Sequence, residues 1–148
     1  MEDHRPRRVT LMMAVGRLHR IWEEYLRGVA QALGIPEAYT KTVLYIDRHP
    51  GASQTQIAAL GGVTAAAVNQ TVKELCRDGY VRKEVDERDK RHTRLYVTEK
   101  GASIAGAVRG AFGEADGRIT AFLTEERERE LTETLNAVGD LIRGEADA

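Results

Sequence analysis

Two short stretches hold residues whose types and spacing suit chemistry. The first contains Thr64, Ala65, Ala66, Asn69, Gln70 and Lys73. Asn and Gln carry an acceptor beside a donor and can bond adenine bidentately, while Ala and Thr methyls can touch the thymine methyl. The second is Arg88-Asp89-Lys90-Arg91, three cations around one carboxylate. Such cations suit phosphates or the minor groove, where the negative potential of a narrow groove favours Arg. This is the chemistry of reading double-stranded DNA, and it breaks no covalent bond.

The flanking sequence supplies elements to position both stretches. Ser53, with Gln56 three residues on, forms a capping box ahead of a short helix from Gln54 to Leu60, with Ile57, Ala58 and Leu60 inward. Gly61-Gly62 makes a tight turn, Thr64 caps the next helix, and Ala65 to Arg77 keeps Val68, Val72 and Leu75 on one face. Asp78-Gly79 stops it. The period then changes to two, with Val81, Lys83 and Val85 alternating with Arg82 and Glu84. A polar turn from Asp86 to His92 leads to Thr93-Arg94-Leu95-Tyr96-Val97, so the cationic stretch sits at the tip of a β-hairpin. Two short helices joined through a Gly-containing turn are a helix-turn-helix, whose second helix enters the major groove. The hairpin is its wing.

Long helices flank this core. Leu11, Val15, Leu18, Trp22, Leu26, Val29 and Leu33 recur at steps of three and four, predicting a helix over Val9 to Leu33, about 38 Å long. Gly34 stops it, and Pro36 starts a helix to Arg48 with Val43, Leu44 and Ile46 inward. Thr98 caps a helix to Phe122 with Ile104, Val108, Phe112, Ala115 and Ile119 in its stripe. Thr124 caps the last, with Leu131, Leu135, Val138 and Ile142, and 145–148 fray. The expected fold is mainly α with a small β-hairpin wing. One domain spans 1–148, with a winged helix-turn-helix core at 36–97 and mainly dimerisation helices at 9–33 and 98–143.

Charge agrees with this polarity. Residues 1–113 hold 18 Lys/Arg against 13 Asp/Glu, and residues 114–148 hold 4 against 10, so a basic body precedes an acidic segment. No apolar run suffices to span a bilayer, and Met1-Glu2-Asp3-His4-Arg5 opens no signal peptide, so no membrane partner and a cytoplasmic location are expected. One cysteine, Cys76, excludes an intramolecular disulfide and any multi-cysteine zinc site. His4, His19, His49 and His92 are scattered, so no metal is expected. No Gly-rich phosphate loop or catalytic grouping of Ser, Cys or His occurs, so neither an enzyme nor a cofactor is expected. Taken singly, each element has a plainer reading: Gly-turn helix pairs also serve as packing units, and charged hairpin tips are often merely solvated. Their ordered combination carries the DNA-binding reading.

The stretch from Ser53-Gln54-Thr55-Gln56-Ile57-Ala58 through Leu75-Cys76-Arg77-Asp78-Gly79-Tyr80-Val81-Arg82-Lys83, then Asp86-Glu87-Arg88-Asp89-Lys90-Arg91, then Val97-Thr98-Glu99-Lys100-Gly101, resembles the MarR family of bacterial transcription regulators. Its wing motif is commonly Asp-Pro-x-Asp-Arg-Arg, closing on Leu-Thr-x-x-Gly. Here Glu87 stands where Pro is common, and Lys90 where Arg is common. The resemblance implies a winged-helix homodimer on a pseudo-palindromic operator. Arg91 would enter the minor groove, Asp89 would brace the wing, and the outer helices would form the dimer interface. Family members often carry Ser or Thr where this chain has Ala65, Ala66 and Ala67, so Thr64, Asn69 and Gln70 must carry more of the readout.

The resemblance also implies ways for a signal to enter. Many relatives release DNA when a small aromatic acid binds. Arg17, His19, Trp22 and Tyr25 on the first helix form a candidate cluster for one, pairing charge with stacking, although Trp22 also reads as core or dimer packing. Others sense oxidants through cysteine, but Cys76 occupies a packing position. Gly106, Gly110, Gly113 and Gly117 predict either a very close helix approach or a loosened helix; a GC-rich genome is the plainer explanation. The function expected is a repressor whose DNA affinity falls on ligand binding. The alternatives are a constitutive DNA-binding activator or architectural protein, and a protein–protein adaptor on the same fold.

Overall fold

The computed structural model describes residues 9–144. His4, the N-terminal Met1-to-Arg5 stretch and the expected fraying of 145–148 lie outside that range. The element order is α1 (Leu11–Leu33), α2 (Glu37–Arg48), α3 (Gln54–Gly61), α4 (Ala65–Arg77), β1 (Val81–Val85), β2 (Thr93–Val97), α5 (Glu99–Phe122) and α6 (Glu125–Arg143). The chain divides into two compact units, the first ending at Val108 and the second beginning at Arg109, so the division falls inside α5.

Local chemistry explains the boundaries. Thr10 caps α1 through its hydroxyl, so the helix begins at Leu11, two residues later than the predicted start at Val9. Pro36 sits just outside α2 rather than at its first residue. The capping box closes in both directions: the Gln56 N–H donates to Ser53 Oγ, and the Ser53 N–H to Gln56 Oε1. Gly61 belongs to α3, so Gly62 alone makes the left-handed turn, with φ +61.

The core of the first unit gathers Tyr39, Val43 and Ile46 from α2, Ile57 from α3, Val68, Val72 and Leu75 from α4, and Val81 and Leu95 from the hairpin. One predicted inward residue differs: Leu60, one residue from the end of α3, is 46% exposed. In β1 only Val81 is buried, and Val85 is 61% exposed.

β1 and β2 pair antiparallel, with Val81 opposite Val97 and Val85 opposite Thr93. The turn before α3 extends this ladder, because the Gly51 N–H donates to the Leu95 carbonyl and the Leu95 N–H to that of Ala52. The hairpin is thereby tied to α2 and α3. Its other end is tied to α5. A Cβ on Gly101 would collide with the Tyr80 carbonyl, so only glycine lets α5 cross there. Three other glycines of α5 behave differently: a Cβ on Gly110, Gly113 or Gly117 would meet nothing within 4 Å among the described residues.

In the second unit, Thr124 caps α6 and the Thr120 hydroxyl donates to Glu128. No residue of α6 is buried. Its predicted apolar stripe is present as a face, with Leu135 and Val138 half-buried and Leu131 and Ile142 exposed. The stripe of α1 divides likewise. Leu26 is buried, whereas Leu11 and Leu18 are exposed.

Candidate nucleic-acid interface

The buried stripe of α4 is Val68, Val72 and Leu75. Gln70 stands two residues from both Val68 and Val72, about 200° around the helix from each, and so faces directly away from the core. Ala66 and Lys73 lie beside it on the exposed side. Thr64 Oγ1 accepts the Ala67 N–H as the helix cap, so its lone pairs serve the fold while its hydroxyl hydrogen can still be donated. Ala65 is exposed, but Asn69 is half-buried on the flank. The exposed face also carries a residue that pattern reading passed over. The Gln70 amide Nε2 donates to Glu74 Oε1 at 2.7 Å. The spacing of four residues was the available signal.

The wing tip is organised by two carboxylates. Asp86 accepts the Arg88 N–H at 2.8 Å and the Asp89 N–H at 3.4 Å, which folds the turn. It also accepts the Arg94 Nε–H at 2.8 Å. These bonds, the Arg88 backbone first among them, hold its carboxyl below the usual range. Asp89 accepts from Arg91 three times, at the backbone N–H, Nε and Nη2. The Arg91 guanidinium lowers the Asp89 carboxyl in turn. The Arg91 side chain is nevertheless 87% exposed. Arg88 and Lys90 are exposed beside it. The structure therefore brings all four residues of the second stretch to one tip.

Behind the tip, Arg82 lies over the Tyr96 ring at 4.6 Å and pairs with Glu84. At the far end of α4, Asp78 accepts from buried Tyr39 Oη at 2.6 Å and from Arg77 Nε at 2.8 Å. The Arg77 guanidinium, then the Tyr39 hydroxyl, hold the Asp78 carboxyl at about 2. Burial, then the bond to Asp78, pushes the Tyr39 hydroxyl up to about 12. Lys100 donates to the Asp78 carbonyl and lies over the Tyr80 ring. One end of α4 is thus fastened to α2 and to the start of α5. Neither Tyr39 nor Asp78 was legible as a pair, because 39 residues separate them.

The predicted ligand cluster lies along α1. Trp22 and Tyr25 stack at 5.5 Å and are half-buried, while Arg17 and His19 are exposed. A cleft of about 470 Å³ lies nearby, lined from α1 (Glu23, Leu26), α2 (Lys41, Tyr45) and α4 (Ala67, Thr71) among others, and none of the four cluster residues lines it. At its wall Lys41 Nζ donates to Glu23 at 2.6 Å. Cys76 is half-buried against the core, and burial pushes its thiol up, which disfavours the reactive thiolate. Among the described residues no three potential metal ligands gather. No helix of the described residues is long and apolar enough to cross a membrane.

Comparison with known proteins agrees with this geometry. Residues 33–92 match the model of the MarR family. The chain is 29% identical over 115 residues to the HTH-type transcriptional regulator BilQ of Clostridium symbiosum, covering 78% of this chain and 80% of that one. It is 38% identical over 67 residues to the HTH-type transcriptional regulator PetP of Rhodobacter capsulatus, covering 45% of this chain and 40% of PetP. The fold is shared with the protein in the S. aureus MepR–DNA complex, with a TM-score of 0.80 at 18% identity over 90% of this chain and 97% of that one.

Proposed function

Because this chain belongs to the MarR family, we propose that it is a sequence-specific DNA-binding repressor, acting without enzymatic chemistry as a homodimer on a pseudo-palindromic operator. The observation that carries this is the placement of an outward-facing α4 surface and a cationic wing tip on one compact unit. Gln70, Asn69, Thr64 and the methyls of Ala65 and Ala66 would read base edges, and Lys73 would meet phosphate. Arg91, presented by Asp89, would enter the minor groove, with Arg88 and Lys90 on phosphates. The MepR–DNA complex, in which a protein of this fold is bound to DNA, supports the DNA-binding reading.

A ligand that lowers DNA affinity completes the proposal. The cleft beside α4 supports it, since whatever fills that cleft touches Ala67 and Thr71 on the DNA-reading helix. Arg17, His19, Trp22 and Tyr25 remain the proposed ligand cluster on α1, beside that cleft rather than in its lining. A constitutive binder or activator would bind DNA with no ligand-dependent shift.

The experiment is a titration of promoter DNA against salt. Log K should fall with log salt by about 0.9 per phosphate neutralised. A flat response would defeat the DNA-binding assignment and favour the adaptor.

A further inference from the structure

We infer that Glu74 is a positioning residue for base recognition: it locks the Gln70 amide in one orientation, so that Gln70 selects a base offering an amino hydrogen in the major groove. This rests on the DNA-binding reading above and deepens it.

An unconstrained glutamine is ambivalent. A half-turn about its last bond exchanges the carbonyl oxygen with the NH2 group, so it can meet a base acceptor or a base donor. Gln70 is constrained. Its Nε2 donates to Glu74 Oε1 at 2.7 Å, a charge-assisted bond one helical turn toward the C-terminus. An ionised carboxylate only accepts, so turning the amide over would set Gln70 Oε1 against Glu74 Oε1.

Glu74 has a competing partner nearby. Arg77 stands three residues on, at the spacing of a helical ion pair. Arg77 Nε and Nη2, however, bond Asp78 at 2.8 and 3.2 Å. Asp78 is itself held by Tyr39. The network at the end of α4 thereby draws Arg77 away and leaves the Glu74 carboxylate to the amide.

One N–H of Gln70 is spent on Glu74. Its carbonyl oxygen and second N–H remain, and these are the pair that bonds adenine at N6 and N7. Cytosine offers an amino hydrogen at N4 and can take one bond. Guanine and thymine present acceptors to the fixed oxygen and are rejected.

The test is selection of a randomised operator by the full-length protein. The proteins are wild type, Glu74→Gln, Glu74→Ala, Gln70→Ala and the double variant Gln70→Ala/Glu74→Ala. Wild type should prefer adenine to guanine about tenfold at one position of each half-site, the scale of one good bidentate contact. Glu74→Ala should relax this to about twofold, as the amide becomes free to turn. Glu74→Gln, whose own amide can turn to donate to Gln70 Oε1 as readily as it accepts from Nε2, should relax it as well. In the Gln70→Ala background, removing Glu74 should leave the base preference at that position unchanged.

Unchanged preference in Glu74→Ala, with loss in Gln70→Ala, would overturn the lock. So would a further change on removing Glu74 from Gln70→Ala, because Glu74 would then read the base itself. If wild type enriches no sequence at all, the DNA-binding reading falls and the lock with it, a result distinct from either.

Discussion

Asp89 and Arg91, two residues apart at the wing tip, meet through parallel hydrogen bonds of 2.9 Å from Nε and Nη2 to the two carboxylate oxygens. A bidentate pair fixes the direction of the guanidinium as well as its distance. It therefore aims a long side chain that remains largely in solvent. Arg91→Ala should weaken operator binding by roughly 1–3 kcal/mol. Asp89→Ala removes the aim but keeps the cation, and its loss should be smaller. Fluorescence anisotropy on a labelled operator measures both. Equal binding by a folded Arg91→Ala protein would remove Arg91 from the interface.

Tyr39 and Asp78 make a stability prediction with a pH signature. Tyr39→Phe deletes the 2.6 Å bond and should lower Tm by about 2–4 °C at neutral pH, the shift expected of about 1 kcal/mol in a chain of this size. The Asp78 carboxyl is depressed in the folded state, to about 2, so its contribution is present above the ordinary carboxylate range and is lost as pH falls toward 2. The Tyr39 hydroxyl is raised, to about 12, so its contribution is full below pH 10 and is lost as pH rises through 12. Thermal unfolding of wild type and Tyr39→Phe should therefore converge at both extremes. A constant difference across pH would contradict the pairing.

Two glycines of one helix should respond oppositely to alanine. Gly101→Ala places a methyl group against the Tyr80 carbonyl and should destabilise by about 1–3 kcal/mol or more, since backbone must shift. Gly110→Ala meets open space among the described residues and should stabilise by up to about 1 kcal/mol. Chemical denaturation distinguishes them. Destabilisation by Gly110→Ala would instead show that a second copy packs closely against that side of α5.

The exposed apolar residues predict self-association. Leu11, Met12, Leu18 and Ile21 on α1 lie in solvent, as do Phe122 and, on α6, Leu131, Leu141 and Ile142. Phe122 is 88% exposed, more than any other large apolar residue among those described. A two-fold dimer would bury such faces and fix two reading helices about 34–36 Å apart. Leu11→Glu or Leu135→Glu should lower stability and operator affinity together. Sedimentation of a well-folded wild-type monomer at micromolar concentration would defeat the dimer.

The sequence by itself determined what short-range chemistry decides. Capping by Ser53, Thr64 and Thr124 sets helix starts within a few atoms of the backbone, and all three caps are present. The switch from a helical to a two-residue period located both strands of the hairpin. The cationic tip followed from the turn between them, and with it the residues proposed to meet DNA. Tertiary structure decided what depends on neighbours distant in sequence. Periodicity marks an apolar face but not what covers it, so Leu60 reads as inward and stands in solvent, and the stripe of α1 is covered only toward its end. The fastening of α4 through Tyr39 and Asp78 joins residues 39 apart, a distance over which pattern carries no signal. That same network turns Arg77 toward Asp78 and leaves Glu74 to Gln70. Which of several carboxylates an arginine takes is settled by competing short contacts, and only the folded chain brings the competitors together.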